Sequence, residues 1–405
     1  MNALLIVIFI VIFEAVLFIV VNWQRKSFSW LITESDEVPL LDPKAIRSFI
    51  NYSFDPNLGW VRKPNSIGRE EGKDGPIVFH INAAGARATN KDRPPLIAAF
   101  GDSYVFCRQV EDSETWEEYL SDVINCGVLN FGVGNYGADQ ALLRYEQSVL
   151  SESIEIVILG FVPETICRIQ SYWKHYLEFG NTFAFKPRFV LNKQRQLVLL
   201  ENQIRNEDDF FHFKKKLPII QASDYFYVTK FRSYQFRFPY TLSLLRHPIR
   251  QTRLIAACAL RAIFRKLNIS SKTIEDLPFA TVMHNNISDS YLIYGDDKST
   301  MLLSAILERF RSEAVRRSHM PLVIVFPQLI DLKMNKANNV PYQQFFSNVG
   351  QKISVIDLTE KFMNADFEKL YTNDMYGGHL SIEGNRLVAE EVATWLKLNN
   401  KLTTL

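Results

Sequence analysis

Cysteine is scarce in this chain, and neither sign of charge is in excess. Cys107, Cys126, Cys167 and Cys258 are the only four cysteines in 405 residues, with no CxxC spacing and no histidine cluster beside them. That argues against a dense disulfide framework and gives no basis for a zinc site. Lys and Arg total 46 against 44 Asp and Glu, a net charge of +2, so charge directs the chain to no acidic partner and to no nucleic acid. Internal repeats and low-complexity runs are lacking, and no cofactor or metal is expected. Apolar residues are plentiful instead. At 47% hydrophobic and 13% aromatic the chain can bury a sizeable core. Its length suits two or three domains, or one large α/β domain carrying an insertion.

The N-terminus has a long apolar run, Ala3 to Val21, broken only by Glu14. At ~1.5 Å per residue such a helix crosses a bilayer core. Trp23, Arg25 and Lys26 follow as an interfacial anchor. No basic stretch precedes the run and no A-x-A site follows it, so residues 1–26 read as a single-pass membrane anchor rather than a cleaved leader. Glu14 marks either a helix partner or a lone protonated or snorkelling carboxyl. The charges that follow the run favour a cytoplasmic body under the positive-inside rule.

Residues 27–94 are rich in turn signals such as Asp55-Pro56-Asn57 and Asp74-Gly75-Pro76, and read as a lead-in of short strands and loops. Five short apolar runs follow, Pro95–Phe100, Val128–Val133, Ile154–Phe161, Pro321–Pro327 and Ile353–Leu358, each able to be a strand buried on both faces. Helical stripes lie between them. Trp116, Tyr119, Leu120, Val123 and Ile124 repeat at helical spacing behind a cap candidate at Ser113, and Met301–Arg317 and Leu387–Leu398 are similar. Alternating strands and helices predict a parallel sheet between helical layers. The gap between the third and fourth strands is too long for one crossover, so residues 169–297 read as an insertion, mainly helical, between catalytic segments 95–168 and 298–400. Within it, Tyr240 to Asn268 mixes leucines and isoleucines with six basic residues from Arg246 to Lys266. That pattern fits a helix lying on a membrane surface, or a helix packed on the core with its charges solvated.

The first strand ends in Phe100-Gly101-Asp102-Ser103, which puts a serine where α/β sheets hold their ligands. A nucleophilic serine needs a base. Of seven histidines, His379 stands apart, in a Gly377-Gly378-His379-Leu380-Ser381 loop that runs into a helix with Ser381 as N-cap and Glu383 in the first turn.

These residues resemble the GDSL/SGNH hydrolase family. Phe100 to Ser103 is similar to its first block, Asn130-Phe131-Gly132-Val133-Gly134-Asn135-Tyr136-Gly137 to its second, and Gly377 to Asn385 to its last, in the family's order. The lead-in from Leu58-Gly59-Trp60 to Ala86 also resembles anchored bacterial members. The likeness covers residues 55–165 and 300–398 and leaves out the insertion. It implies an α/β/α sandwich with a five-stranded parallel sheet in the order 2-1-3-4-5. Ser103 would be the nucleophile, His379 its base, and the N–H groups of Ser103 and Gly132 the oxyanion donors.

Two positions depart from the family's pattern. Where the third block has an asparagine, this chain has Glu164, whose carboxylate cannot donate a hydrogen bond; Thr165 and Arg168 are the substitutes at hand. Where an aspartate precedes the histidine by three residues, this chain has Tyr376; Asp374 is the nearest acid, and without it the pair would be a Ser–His dyad. The resemblance implies an esterase or O-acyltransferase acting on an acylated, for example O-acetylated, envelope glycan, with the body outside the cytoplasm. A lipid esterase and a catalytically silent binding module on the same fold are the rival readings.

Overall fold

The computed structural model describes residues 2–89, 92–335 and 340–401, so lead-in positions 90 and 91 lie outside the described residues. In chain order the elements used below are helix α1 (Asn2–Gln24), strand β1 (Pro95–Phe100), helix α2 (Trp116–Ile124), strand β2 (Gly127–Asn130), helix α3 (Ala138–Gln147), strand β3 (Ile156–Phe161), helices α4 (Tyr240–Arg246), α5 (Pro248–Lys266) and α6 (Asp297–Arg316), strands β4 (Met320–Val325) and β5 (Ser354–Asp357), and helix α7 (Ile382–Leu398). Two compact units share the chain. One comprises residues up to 49, 171–186 and 203–286; the other comprises 50–170, 187–202 and 287–405.

The second unit holds a five-stranded parallel sheet in the spatial order β5-β4-β3-β1-β2, which is 2-1-3-4-5 read from the other edge. The strands are near-continuous apolar runs because both faces are covered. Ile97, Ala99, Ile156, Ile158, Leu322 and Ile324 pack with Trp116 and Leu120 of α2 and Val388, Val392 and Leu396 of α7. On the other face the Phe100 ring meets Tyr145 of α3 at 5.3 Å, and Tyr145 meets Phe310 of α6 at 5.6 Å. The result is a three-layer α/β/α fold, as the alternation of apolar runs and helical stripes predicts.

The helix ends test the capping expectations. Ser381 does cap α7, its hydroxyl accepting from the Gly384 N–H at 3.1 Å. Ser113 does not cap α2. Asp112–Glu114 instead forms a separate 3₁₀ turn behind Glu111, and Thr115 Oγ1 accepts from the Glu118 N–H at 3.2 Å. The acidic run Glu111-Asp112-Ser113-Glu114 thus closes a turn of its own before the helix starts.

Two buried carboxyls give this unit a pH signature. Burial lifts Glu117 to about 8, and its neighbour Cys107 donates a thiol hydrogen bond to Oε2 at 3.1 Å. Burial also lifts Asp331 to about 7, although Tyr291 Oη (2.7 Å) and the Gln328 N–H (2.9 Å) donate to it. Both folded values lie above the ordinary ones, so the native state keeps protons that the unfolded chain releases. Stability is therefore greatest below about pH 4 as far as these groups go, and falls as pH rises through 7 to 8, at up to about 1.4 kcal/mol per pH unit per group. Glu117→Gln is expected to flatten that fall and to be more stable than the parent at pH 8 in urea unfolding; an unchanged slope would contradict it.

In the other unit, the segment Leu4–Gln24 is long and apolar enough to cross a membrane and lies near the N-terminus. Leu17 and Val21 on one side of α1 join Leu31, Phe236, Tyr240, Leu254, Cys258 and Val282 in one apolar cluster. The basic stretch is two helices, α4 and α5, broken at His247-Pro248.

Candidate active site

Ser103 follows β1 in a tight turn rather than a helix. The Phe106 N–H donates to Asp102 O at 2.9 Å and the Arg108 N–H to Ser103 O at 3.1 Å. Three glycines make room for this turn. A Cβ on Gly101 or Gly160 would come within 2.4 and 2.2 Å of Val105 Cγ2, and one on Gly132 within 2.2 Å of the Phe106 nitrogen. Asp102 is buried, accepts the Tyr104 N–H at 2.9 Å on Oδ1, and meets Arg168 Nη1 at 3.3 Å through Oδ2. Ser103 itself is 8% exposed.

The hairpin Tyr371–Asn373/Gly377–Leu380 brings His379 to the same place. Tyr104, next to Ser103, donates through its hydroxyl to the carbonyl of Gly378, next to His379, at 3.3 Å, and the Tyr104 and His379 rings stand 5.6 Å apart. Among the described residues neither Ser103 Oγ nor His379 Nε2 makes a hydrogen bond. Burial, with Arg108 and Arg168 nearby, holds the imidazole well below its ordinary value of 6.5, so it is neutral at pH 7.

Gln109 supplies the contact that orients this imidazole. Its Oε1 lies 2.9 Å from His379 Nδ1 and accepts from Thr372 Oγ1 at 2.8 Å. Thr372 Oγ1 in turn accepts the His379 N–H at 3.0 Å. The amide orientation is fixed by chemistry, because Gln109 Nε2 donates to the Glu71 carbonyl at 3.1 Å and an oxygen there would face another oxygen. An acceptor at Nδ1 puts the proton on Nδ1 and leaves the Nε2 lone pair free to act as a base. Gln109 has φ 71°, a left-handed backbone that non-glycine residues adopt at a cost.

Arg87 holds the loop in that shape. It is buried and donates to the carbonyls of Phe106 (2.7 Å), Cys107 (2.6 Å) and Val110 (2.6 Å), with Asp112 Oδ1 at 2.7 Å from its Nε. Arg87→Leu would leave the Asp112 carboxylate buried without its main partner. A loss of about 3–5 kcal/mol in unfolding free energy is expected, and a loss under 1 kcal/mol in urea titration would show the network to be dispensable.

Asp374 is exposed in the hairpin turn, where its carbonyl accepts from Lys333 Nζ at 2.9 Å; among the described residues no hydrogen bond joins it to His379, whose Nδ1 faces Gln109. Tyr376 lies in the same turn, its N–H bonded to Asn373 Oδ1 at 3.1 Å. The Gly132 N–H donates to Asn130 Oδ1 at 3.0 Å, while Asn130 Nδ2 donates to Val105 O at 2.6 Å. Thr165 is buried, and its hydroxyl donates to Val162 O at 2.7 Å. Arg168 bonds the Tyr136 carbonyl at 3.1 Å as well as Asp102. Among the described residues the N–H groups of Ser103, Gly134 and Asn135 have no acceptor, and Asn135 has φ 71°. Trp60 of the lead-in secures that loop, its Nε1 donating to Gly134 O at 3.0 Å while Tyr136 Oη donates to Trp60 O at 2.5 Å. A cavity of about 660 Å³ is lined by Gln109 and Thr372 but by neither Ser103 nor His379.

No family model matches the chain, and no curated protein matches it. Two solved structures align with 75% and 74% of this chain and 97% of their own, at TM-scores of 0.37 and 0.32 and at 11% and 12% identity; the second is a candidate lipolytic protein of the G-D-S-L family from Desulfitobacterium hafniense DCB-2. Likeness at that level carries no functional argument, and the reading below rests on the site.

Proposed function

We propose that this protein transfers acyl groups from esters through Ser103, as a hydrolase or an O-acyltransferase. The observation that carries the reading is the contact of His379 Nδ1 with Gln109 Oε1 at 2.9 Å, which selects the tautomer with its proton on Nδ1. A neutral imidazole, with Nδ1 turned to Gln109 and Nε2 making no hydrogen bond among the described residues, follows Gly378, whose carbonyl accepts from Tyr104, the residue after Ser103. In this scheme Ser103 Oγ attacks the ester carbonyl while His379 Nε2 takes its proton. The proton then goes to the departing alcohol, and water or a second alcohol releases the acyl group by the reverse path. The Ser103 N–H, with those of Gly134 and Asn135, is available for the oxyanion. Gln109 takes the orienting part that an acidic residue has in a Ser-His-Asp site, without its charge, and Asp374 is left out of this scheme. An O-acylated glycan outside the cytoplasm is the substrate class that an anchored protein of this kind suits.

The test is a panel of small acyl esters of increasing chain length, run with a fluorophosphonate probe. Turnover together with covalent labelling mapped to Ser103 is expected. Turnover that rises with chain length would favour a lipid ester over a glycan acetate. A panel with neither turnover nor labelling would make the protein a binding module on this fold.

A further inference from the structure

Glu14 sits in the middle of α1, yet its carboxylate has three hydrogen-bond donors. It accepts the backbone N–H groups of Tyr240 and Thr241, the latter at 2.8 Å, and the Thr241 hydroxyl. Asn22 Nδ2 donates to Tyr240 Oη at 3.2 Å, and the Phe18 ring meets Tyr240 edge-on at 5.4 Å. The start of α4 is thereby tied to α1 from Glu14 to Asn22, and Leu254 and Cys258 of α5 complete the apolar contact with Leu17 and Val21.

The length of α1 left uncovered is the decisive quantity. Leu4 to Ile12 are all 45% exposed or more, whereas Phe13 onward carries the contacts just described. Those nine residues amount to about 14 Å of helix, about half the ~30 Å hydrocarbon core. If α1 crosses the bilayer, its second half, from Glu14 to Gln24, must occupy the other leaflet, and whatever sheathes that half shares the leaflet with it. The sheath has the surface for this. Phe238 (78% exposed), Leu242 (51%), Leu245 (64%) and Ile249 (67%) are large and apolar, and exposed Arg246 and Arg253 flank them. Three hydrogen bonds to the Glu14 carboxylate, from two amide N–H groups and a hydroxyl, give this acid the partners that a polar group in hydrocarbon requires.

We infer that α4 and the first turns of α5 are embedded in the phospholipid leaflet that surrounds the C-terminal half of α1. Phe238, Leu242, Leu245 and Ile249 meet acyl chains, and Arg246 and Arg253 reach the lipid phosphates. The inference rests on α1 as a membrane span and is independent of the catalytic reading. The full chain carrying Cys126→Ser and one added cysteine, reconstituted into phosphatidylcholine vesicles, tests it. An environment-sensitive fluorophore is placed in turn at Ile8→Cys, Ile249→Cys and Val149→Cys, the last 99% exposed on the sheet-bearing unit. Labels at 8 and 249 are expected to shift to the blue and to lose most of their emission to acyl-chain spin labels, while the label at 149 responds only to aqueous iodide. A label at 249 that behaves like the one at 149, while position 8 is quenched from the acyl chains, would overturn the inference. Iodide quenching at 8 as well would remove its premise.

Discussion

Ser103→Ala, His379→Ala and the double variant are each expected to lose ester turnover by a similar factor, on the order of 10⁴ or more in kcat/KM. A nucleophile and its base act as one unit, so removing the second after the first costs little further. The expectation also separates chemistry from folding. Ser103 Oγ makes no hydrogen bond among the described residues, so its removal should leave the circular dichroism spectrum and the melting temperature nearly unchanged. Losses that multiply in the double variant would mean the two side chains act independently, which a proton relay does not allow. A Ser103→Ala enzyme with more than a few per cent of the parent rate would end the assignment.

Gln109 should matter almost as much, and in a way that a structural role cannot imitate. Gln109→Ala removes the acceptor at Nδ1, and by the scale of losses seen when a histidine base is left in the wrong tautomer the rate should fall by about 10²–10⁴. Gln109→Glu is the diagnostic variant. A carboxylate beside Nδ1 favours the imidazolium, so the His379 value, now held well below 6.5, should rise. The acidic limb of the kcat/KM profile should move to higher pH with it. In the parent that limb lies low, because a base depressed by burial is already deprotonated at pH 7. Asp374→Asn is the matched control and should leave both rate and profile unchanged. A collapse in Asp374→Asn with a normal Gln109→Ala would return the orienting role to the acid.

The difference between what the sequence disclosed and what it hid follows from range. Strands such as Pro95–Phe100 were legible because burial on both faces writes an unbroken apolar run into consecutive residues. The Ser381 cap was legible for the same local reason, while Ser113 misled because four polar residues in a row offer several caps and the 3₁₀ turn behind Glu111 decided among them. Gln109 carried no signal at all. It meets His379 across 270 residues, and a glutamine in a loop looks like any other solvated amide. Tyr376, standing where an acid was sought, showed only that the usual partner was missing. The partner of Glu14 was hidden similarly, 226 residues away.

The interleaving of the two units has a consequence for synthesis. Chain order completes the unit that contains α1 at residue 286, when β1, β2 and β3 exist but β4 and β5, beginning at Met320 and Ser354, do not. During vectorial emergence the first unit can settle on a bilayer while β3 still presents an unpaired edge, and the His379 hairpin arrives later still. With α1 as a membrane span, the nascent chain is tethered before its sheet is complete. A ribosome stalled near residue 300 should hold a membrane-bound, inert polypeptide whose half-built sheet is the part in need of a chaperone.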